Sequence, residues 1–335
     1  MTLTDFEMDV LRWIQRPLPV CSRPFAVLAE RLSATQEQVI RTIRQLQQQR
    51  LIRRIRAQID YRALGRTASL IAAHVPAERF SEVADAVSRL PAVSHSYCRD
   101  HYYNLWFTMQ APSLIAVDAE LAGLQEQLQV EFHSLPAQRL FKLDVYFEPA
   151  GPFASVSDPM PQPVQDIALS DIPRQPAELS DSERHTLHLI QQDLPVAEYA
   201  FAVLAGQDGT ITEADFLAAL QSLLQKGVVR KIAAVVNYPA LGYAANALFC
   251  AHVAQDSIRT AGQALALCPW VSHCYQRRSV EGWPFSLYAM GHAGSREQIA
   301  DLVRLFCEAN GICRWQILPT VSELKKEPVK IQLPR

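Results

Sequence analysis

Lysine is scarce in this chain: only six of its 32 basic residues are Lys, and the other 26 are Arg. An excess of cations is missing too, because the 32 Lys and Arg face 34 Asp and Glu for a formal net charge of -2. That excludes a surface that is basic throughout, so any anion site has to be local. The bias toward Arg fits either a GC-rich coding sequence or a demand for bidentate contacts to carboxylate or phosphate, which Arg makes and Lys does not. Paired cysteines are absent as well. Cys21, Cys98, Cys250, Cys268, Cys274, Cys307 and Cys313 are odd in number and never fall as CxxC. This argues against a disulfide framework or a zinc site and predicts buried thiols in a reducing cytoplasm. No segment approaches the run of about 18 apolar residues that a membrane span needs. The N-terminal MTLTDFEMDVLRWIQR also lacks a basic stretch followed by an apolar one, so a soluble, cytoplasmic protein is expected. At 49% hydrophobic and 20% charged residues the chain has the composition of a folded protein, and 335 residues imply more than one domain.

What is present is a repeat. FAVLA at Phe25 to Ala29 recurs at Phe201 to Ala205. Arg53, Ile55, Ala57, Tyr61 and Gly65 recur as Arg230, Ile232, Ala234, Tyr238 and Gly242. VSHSYCR at Val93 to Arg99 recurs as VSHCYQR at Val271 to Arg277. A period near 177 residues means two domain-sized copies rather than a solenoid. Between them, residues 149–178 hold seven of the 21 prolines, a composition that predicts an extended linker.

Within the first copy, helical periodicity covers Asp5 to Gln15, Phe25 to Leu32 and Thr35 to Gln49, with Ser33 or Thr35 as the cap of the last, in a helix-turn-helix outline. Alternation then predicts a strand over Leu51 to Tyr61. A βαββαβ order follows: strands at Ala68 to Val75, Val93 to Arg99, Tyr103 to Gln110 and Gln138 to Phe147, helices at Glu78 to Leu90 and Pro112 to Leu128. The fold class expected is α+β, a tandem repeat of winged helix-turn-helix plus ferredoxin-like domain. The expected boundaries are 1–60 and 61–148 in copy one, and 179–237 and 238–327 in copy two. Each sheet has one face to bury, so the copies should meet face to face as an intrachain pseudo-dimer. A further homodimer stays open.

This plan resembles the Lrp/AsnC regulators, and LIRRIRAQIDYRALGRTASLIAAHV looks like that family's junction between its two domains. The segment VSHCYQRRSVEGWPFSLYAMGHA at Val271 to Ala293 is more sharply similar to the siroheme decarboxylases, a branch of the same fold. The resemblance implies a carboxy-lyase of haem d1 biosynthesis that converts siroheme to 12,18-didecarboxysiroheme, turning two acetate side chains into methyls. It also implies no added cofactor, because the iron belongs to the substrate. A twofold DNA reader needs two cationic recognition helices. Copy one offers Arg41, Arg44 and Arg50 against Glu37, whereas copy two offers Glu213 and Asp215 against Lys226 alone. A DNA-binding regulator is therefore the alternative, and no DNA or membrane partner is expected beyond siroheme and its products.

Decarboxylation needs cations to hold anionic side chains and groups to deliver protons, which points to Arg and His. The catalytic candidates are His273, His292, Arg277, His95 and His101. The substrate-binding candidates are Arg53, Arg54, Arg56, Arg99, Tyr97, Gln110, Arg230, Lys231, Tyr275 and Trp283; no metal site of the protein's own is expected, and a histidine axial ligand to the substrate's iron fits imidazole chemistry, with the choice of histidine left open. Gln110 stands where the second copy has His292, and the Trp283-Pro284 pair is missing from copy one. Gln cannot donate a proton at neutral pH, so copy two is expected to carry the principal proton-transfer site.

Overall fold

Thr4, Thr35 and Ser180 each accept a backbone N–H from the third residue on, and Glu7, Gln38 and Glu183 bond back to the caps. These reciprocal boxes fix the first helix of each copy and the third helix of copy one where polarity gives way to periodic apolar residues. In the computed structural model, residues 3–143, 145–152, 166–169, 175–207, 209–327 and 329–331 are described. Copy one runs α1 (Asp5–Ile14), α2 (Pro24–Arg31), α3 (Gln36–Gln48), β1 (Ile52–Ile59), β2 (Thr67–Ala73), α4 (Phe80–Arg89), β3 (Val93–Arg99), β4 (Leu105–Ala111), α5 (Leu114–Leu128) and β5 (Phe132–Leu143). After a short β6 (Ile167–Ala168), copy two repeats the order as α6 (Asp181–Ile190), α7 (Ala200–Ala205), α8 (Glu213–Gln225), β7 (Val229–Val236), β8 (Ala245–Ala251), α9 (Ile258–Leu267), β9 (Val271–Arg277), β10 (Leu287–Ala293), α10 (Arg296–Ala309) and β11 (Trp315–Lys326).

The two helix-turn-helix units form one layer. Strand β1 pairs antiparallel with β7, and one continuous core takes Val10, Ile43 and Leu46 from copy one together with Leu187, Phe201 and Leu223 from copy two. The ferredoxin-like halves form a second layer, and here the chain exceeds the expectation. Their inner faces do meet, with Ala72, Trp106 and Leu135 in one cluster with Leu248, Tyr288 and Leu318. Their edges are also hydrogen-bonded. The strand order β2-β4-β3-β11-β8-β10-β9-β5 closes because β5 also pairs with β2. The result is an eight-stranded barrel whose order repeats after four strands, with a pseudo-twofold axis along it and helices outside. Closure removes the unpaired edges that a lone sheet would expose.

The closing device is strand exchange. Phe132 to Pro136 of β5 pair with β2 of their own copy, and Ala137 to Leu143 pair with β9 of the other. Likewise Trp315 to Pro319 of β11 pair with β8, and Thr320 to Lys326 with β3. Pro136 and Pro319 stand at the two changeovers, where a residue without an N–H interrupts neither ladder. The strand expected over Gln138 to Phe147 therefore begins earlier, at Phe132, because its first half belongs to another neighbour.

Of the linker expected over 149–178, residues 153–165 and 170–174 lie outside the described residues. The rest is tied down: β6 pairs with β5, Asp166 bridges Arg139 and Arg259, and the Ala177 N–H donates to the Ala63 carbonyl at 2.8 Å. Among the described residues no helix is long and apolar enough to cross a membrane.

Candidate active site

Between the barrel and the helix-turn-helix layer lies a cavity of about 520 Å³, lined by residues of both copies. Alternation along β3 and β9 puts His95, Tyr97 and Arg99, and equally His273, Tyr275 and Arg277, on the inner face. All six line the cavity, as do Gln110 of β4 and His292 of β10. The β1–β7 ribbon covers the open end and contributes Arg56 and Arg230.

Two arginines lining the cavity, Arg99 buried and Arg277 half-buried, have no carboxylate partner among the described residues. Arg99 is 4% exposed; its Nη1 donates to the Leu318 carbonyl at 3.1 Å and to Thr320 Oγ1 at 3.0 Å, and its buried Nε has no partner. Arg277 donates from Nη1 to the Leu135 carbonyl at 2.8 Å, stands 4.8 Å from the Tyr275 ring, and also leaves a buried Nε unbonded. Burial lowers both guanidinium pKa values, that of Arg99 to about 10, so both stay charged at neutral pH. A buried cation without a counter-charge is costly unless an anion meets it. The cavity is thus built for negative groups at its floor.

The histidines are connected rather than isolated. Ser272 Oγ lies 2.8 Å from His273 Nδ1 and 2.9 Å from His292 Nε2. His292 is 7% exposed, and the rings of Phe147 and Tyr238 meet it edge-on at 5.0 Å each. Its backbone N–H donates to the Trp270 carbonyl at 2.8 Å. Gly291 permits this docking, since a Cβ there would come within 3.1 Å of the Trp270 ring. In copy one Ser94 Oγ meets His95 Nδ1 at 2.9 Å, and Gln110 keeps its Oε1 buried without a partner. Burial, then the neighbouring cations, pushes His95 down to about 4. Burial, then His273, pushes His292 down to about 3. Both rings are neutral at pH 7 in the protein alone, and carboxylates entering the cavity would raise them.

Three of the basic candidates do not join this set. Arg53 turns to Glu323 at 3.5 Å and to Asn237 Oδ1 at 3.3 Å, and neither it nor Arg54 nor Lys231 lines the cavity. Of the ribbon's basic residues, Arg56 and Arg230 are the ones that reach the cavity. Arg230 also donates to the Leu143 carbonyl at 2.6 Å.

His101 and Trp283 also lie apart from this set. Both sit in hairpin loops, at the ends of β4 and β10 opposite to Gln110 and His292, and neither lines the cavity. Their rings meet at 5.3 Å, and Trp283 Nε1 donates to the Tyr288 hydroxyl at 2.9 Å. The loop of copy one therefore packs on the Trp-Pro loop of copy two, and together they plug the barrel one layer below the cavity floor. Sequence reasoning passed over Tyr61, Tyr238, Ser94 and Ser272, all of which line the cavity. Their recurrence in register, Tyr with Tyr and Ser with Ser, was the available signal. Burial raises the Tyr61 phenol to about 12, which makes it a hydrogen-bond donor at neutral pH.

The profile of the AsnC-like ligand binding domain matches residues 63–142 and 240–325, and that of the siroheme decarboxylase NirDL-like HTH domain matches residues 7–53. The siroheme decarboxylase of Hydrogenobacter thermophilus is 30% identical, over 96% of this chain and 93% of its own. The NirDL subunit of Paracoccus denitrificans is 31% identical over 95% and 93% respectively. The siroheme decarboxylase alpha subunit of Desulfovibrio desulfuricans matches 43% of this chain but 84% of its own length, as one copy of the repeat would. A crystal structure of NirDL in complex with an iron-uroporphyrin III analogue superposes with a TM-score of 0.71 at 28% identity, covering 97% of this chain and 94% of that one.

Proposed function

Since this chain belongs to the siroheme decarboxylase family, we propose that the cavity between barrel and ribbon is where siroheme loses carbon dioxide. The chain is a carboxy-lyase, and the reaction removes two acetate carboxylates to give 12,18-didecarboxysiroheme. For each, R–CH2–COO⁻ and one proton become R–CH3 and CO2. The electron pair of the broken bond passes into the conjugated ring, so the residues have two tasks: to hold carboxylates and to supply one proton per carbon dioxide. The iron arrives with the substrate, and no added cofactor enters this reading.

The observation that carries it is the pair of arginines, Arg99 and Arg277, related by the pseudo-twofold axis and lining one cavity with no carboxylate partner among the described residues. Siroheme carries eight carboxylates, and charge-assisted bonds from the two guanidiniums would fix it from opposite sides. Arg56 and Arg230 would close on further carboxylates from the ribbon. His292, His273 and His95, with Tyr97, Tyr275 and Gln110, then border the ring. Anaerobic incubation of the purified chain with siroheme tests this, with absorbance and mass followed together. Loss of two carbon dioxide units supports the reading, and siroheme recovered unchanged would refute it.

A further inference from the structure

We infer that Ser272 is a positioning residue that couples His273 and His292 into a one-way proton relay found in copy two alone. The inference rests on the decarboxylase reading. Its structural basis is that one hydroxyl touches a ring nitrogen of each histidine, at 2.8 and 2.9 Å. A hydroxyl donates one hydrogen bond while accepting another. The two ring tautomers are therefore tied together: when Ser272 donates to His292 Nε2, it accepts from His273 Nδ1, and the proton of His292 sits on Nδ1.

That Nδ1 is buried with no partner, on a residue that lines the cavity. His273 is the more exposed of the two rings, which makes it the entry. A proton taken up by His273 releases its Nδ1 proton to Ser272 Oγ. Ser272 passes its own hydroxyl proton to His292 Nε2, and His292 gives its Nδ1 proton to the substrate carbon as carbon dioxide leaves. One proton enters, one leaves, and both rings end neutral in the opposite tautomer. Copy one has the first half of this arrangement, Ser94 on His95, but Gln110 stands at the delivery position and cannot pass a proton through its amide.

The test uses single-turnover decarboxylation of siroheme by the full chain, with siroheme binding followed separately by absorbance. Ser272→Ala is expected to slow turnover about a hundredfold, in the range of a general acid step, with binding within threefold of wild type. Ser272→Thr keeps the hydroxyl and should recover most of the rate. Ser94→Ala should cost at least tenfold less than Ser272→Ala. In mixtures of H2O and D2O the wild-type rate should bow downward, as several protons move in one step, and the Ser272→Ala rate should fall linearly. Equal losses for the two alanine variants, or a Ser272→Ala rate within threefold of wild type, overturn the relay. A wild-type chain that binds siroheme without decarboxylating it overturns the reading beneath it and the relay as well.

Discussion

At the scale of single residues, the site trades stability for charge. Arg277 contributes a half-buried cation with no ion pair among the described residues, so Arg277→Met should leave the melting temperature unchanged or raise it, because a hydrophobic isostere of a buried charge is often neutral or better. The same change should weaken siroheme binding by ~10-fold to ~100-fold, the worth of a hydrogen bond to a charged group. Thermal unfolding and absorbance titration on one sample separate the two, and a large drop in melting temperature would assign Arg277 to structure instead. His292 and His95 give a pH signature. Their folded values, about 3 and about 4, lie below the ordinary histidine value of about 6.5. The unfolded chain therefore binds more protons as acid is added, and the stability present above pH 6.5 is lost as pH falls toward 4. At roughly 1.4 kcal/mol per pH unit and per group, the loss reaches several kcal/mol. His292→Gln, which copies position 110, should flatten the fall of the urea midpoint between pH 7 and pH 4.5. If the two proteins respond alike, the burial of His292 is not the cause. His95 and Arg99, with His273 and Arg277, stand out in the sequence because they recur with alternation. Ser272 was not, since a serine beside a histidine announces nothing until a second histidine arrives from the next strand. His101 and Trp283 looked like site residues, but sequence does not tell which end of a hairpin faces the cavity.

At the scale of elements, the exchanged strand is the least legible part and the most consequential. Phe141 of β5 is fully buried in the core of the second copy's helices, with Leu265, Val303 and Phe306. Its ring lies against Gly262 of α9 so closely that a Cβ there would overlap it. Gly262→Ala should therefore destabilise the chain by about 1–3 kcal/mol, the usual cost of overpacking. Gly123, within α5, has nothing within 4 Å of its would-be Cβ. Gly123→Ala should stabilise by roughly 0.5–1 kcal/mol through helix propensity alone. Urea unfolding of the two variants checks the pair. Opposite signs locate the Gly262 effect in the interlock of the copies, and equal signs would deny it. Periodicity found every helix of copy one because each buries one face, α1 to α3 in the helix-turn-helix core and α4 and α5 against the sheet. It placed β5 late because a strand that serves two sheets in turn shows no single alternation. The prolines at 136 and 319, in register between the copies, mark the changeover once the partner strands are known.

At the scale of the whole molecule, the helix-turn-helix units have become mortar. Arg44, a cation of the first recognition helix, donates to the Val196 carbonyl of copy two at 2.8 Å, and Gln36 donates to the Glu198 carbonyl at 2.9 Å. From the other side, Gln221 of α8 reaches the Val20 carbonyl of copy one at 3.4 Å. Arg23 joins the same seam, 2.8 Å from Glu198. Arg44, which would meet phosphate in a DNA reader, is thus spent on joining the copies, and α8 presents Glu213 and Asp215 in its first turn. The repeat and the acidic second helix were visible in the sequence, but this seam was not, because it joins polar side chains to backbone carbonyls that carry no sequence signal. We expect no protected footprint on duplex DNA at physiological salt. Any retention at low salt should fall steeply and without sequence preference as salt rises, the behaviour of phosphate contacts alone. Binding that survives 0.2 M salt and favours one palindrome would mean that the seam opens, and that a regulator still resides in the layer that now roofs the cavity.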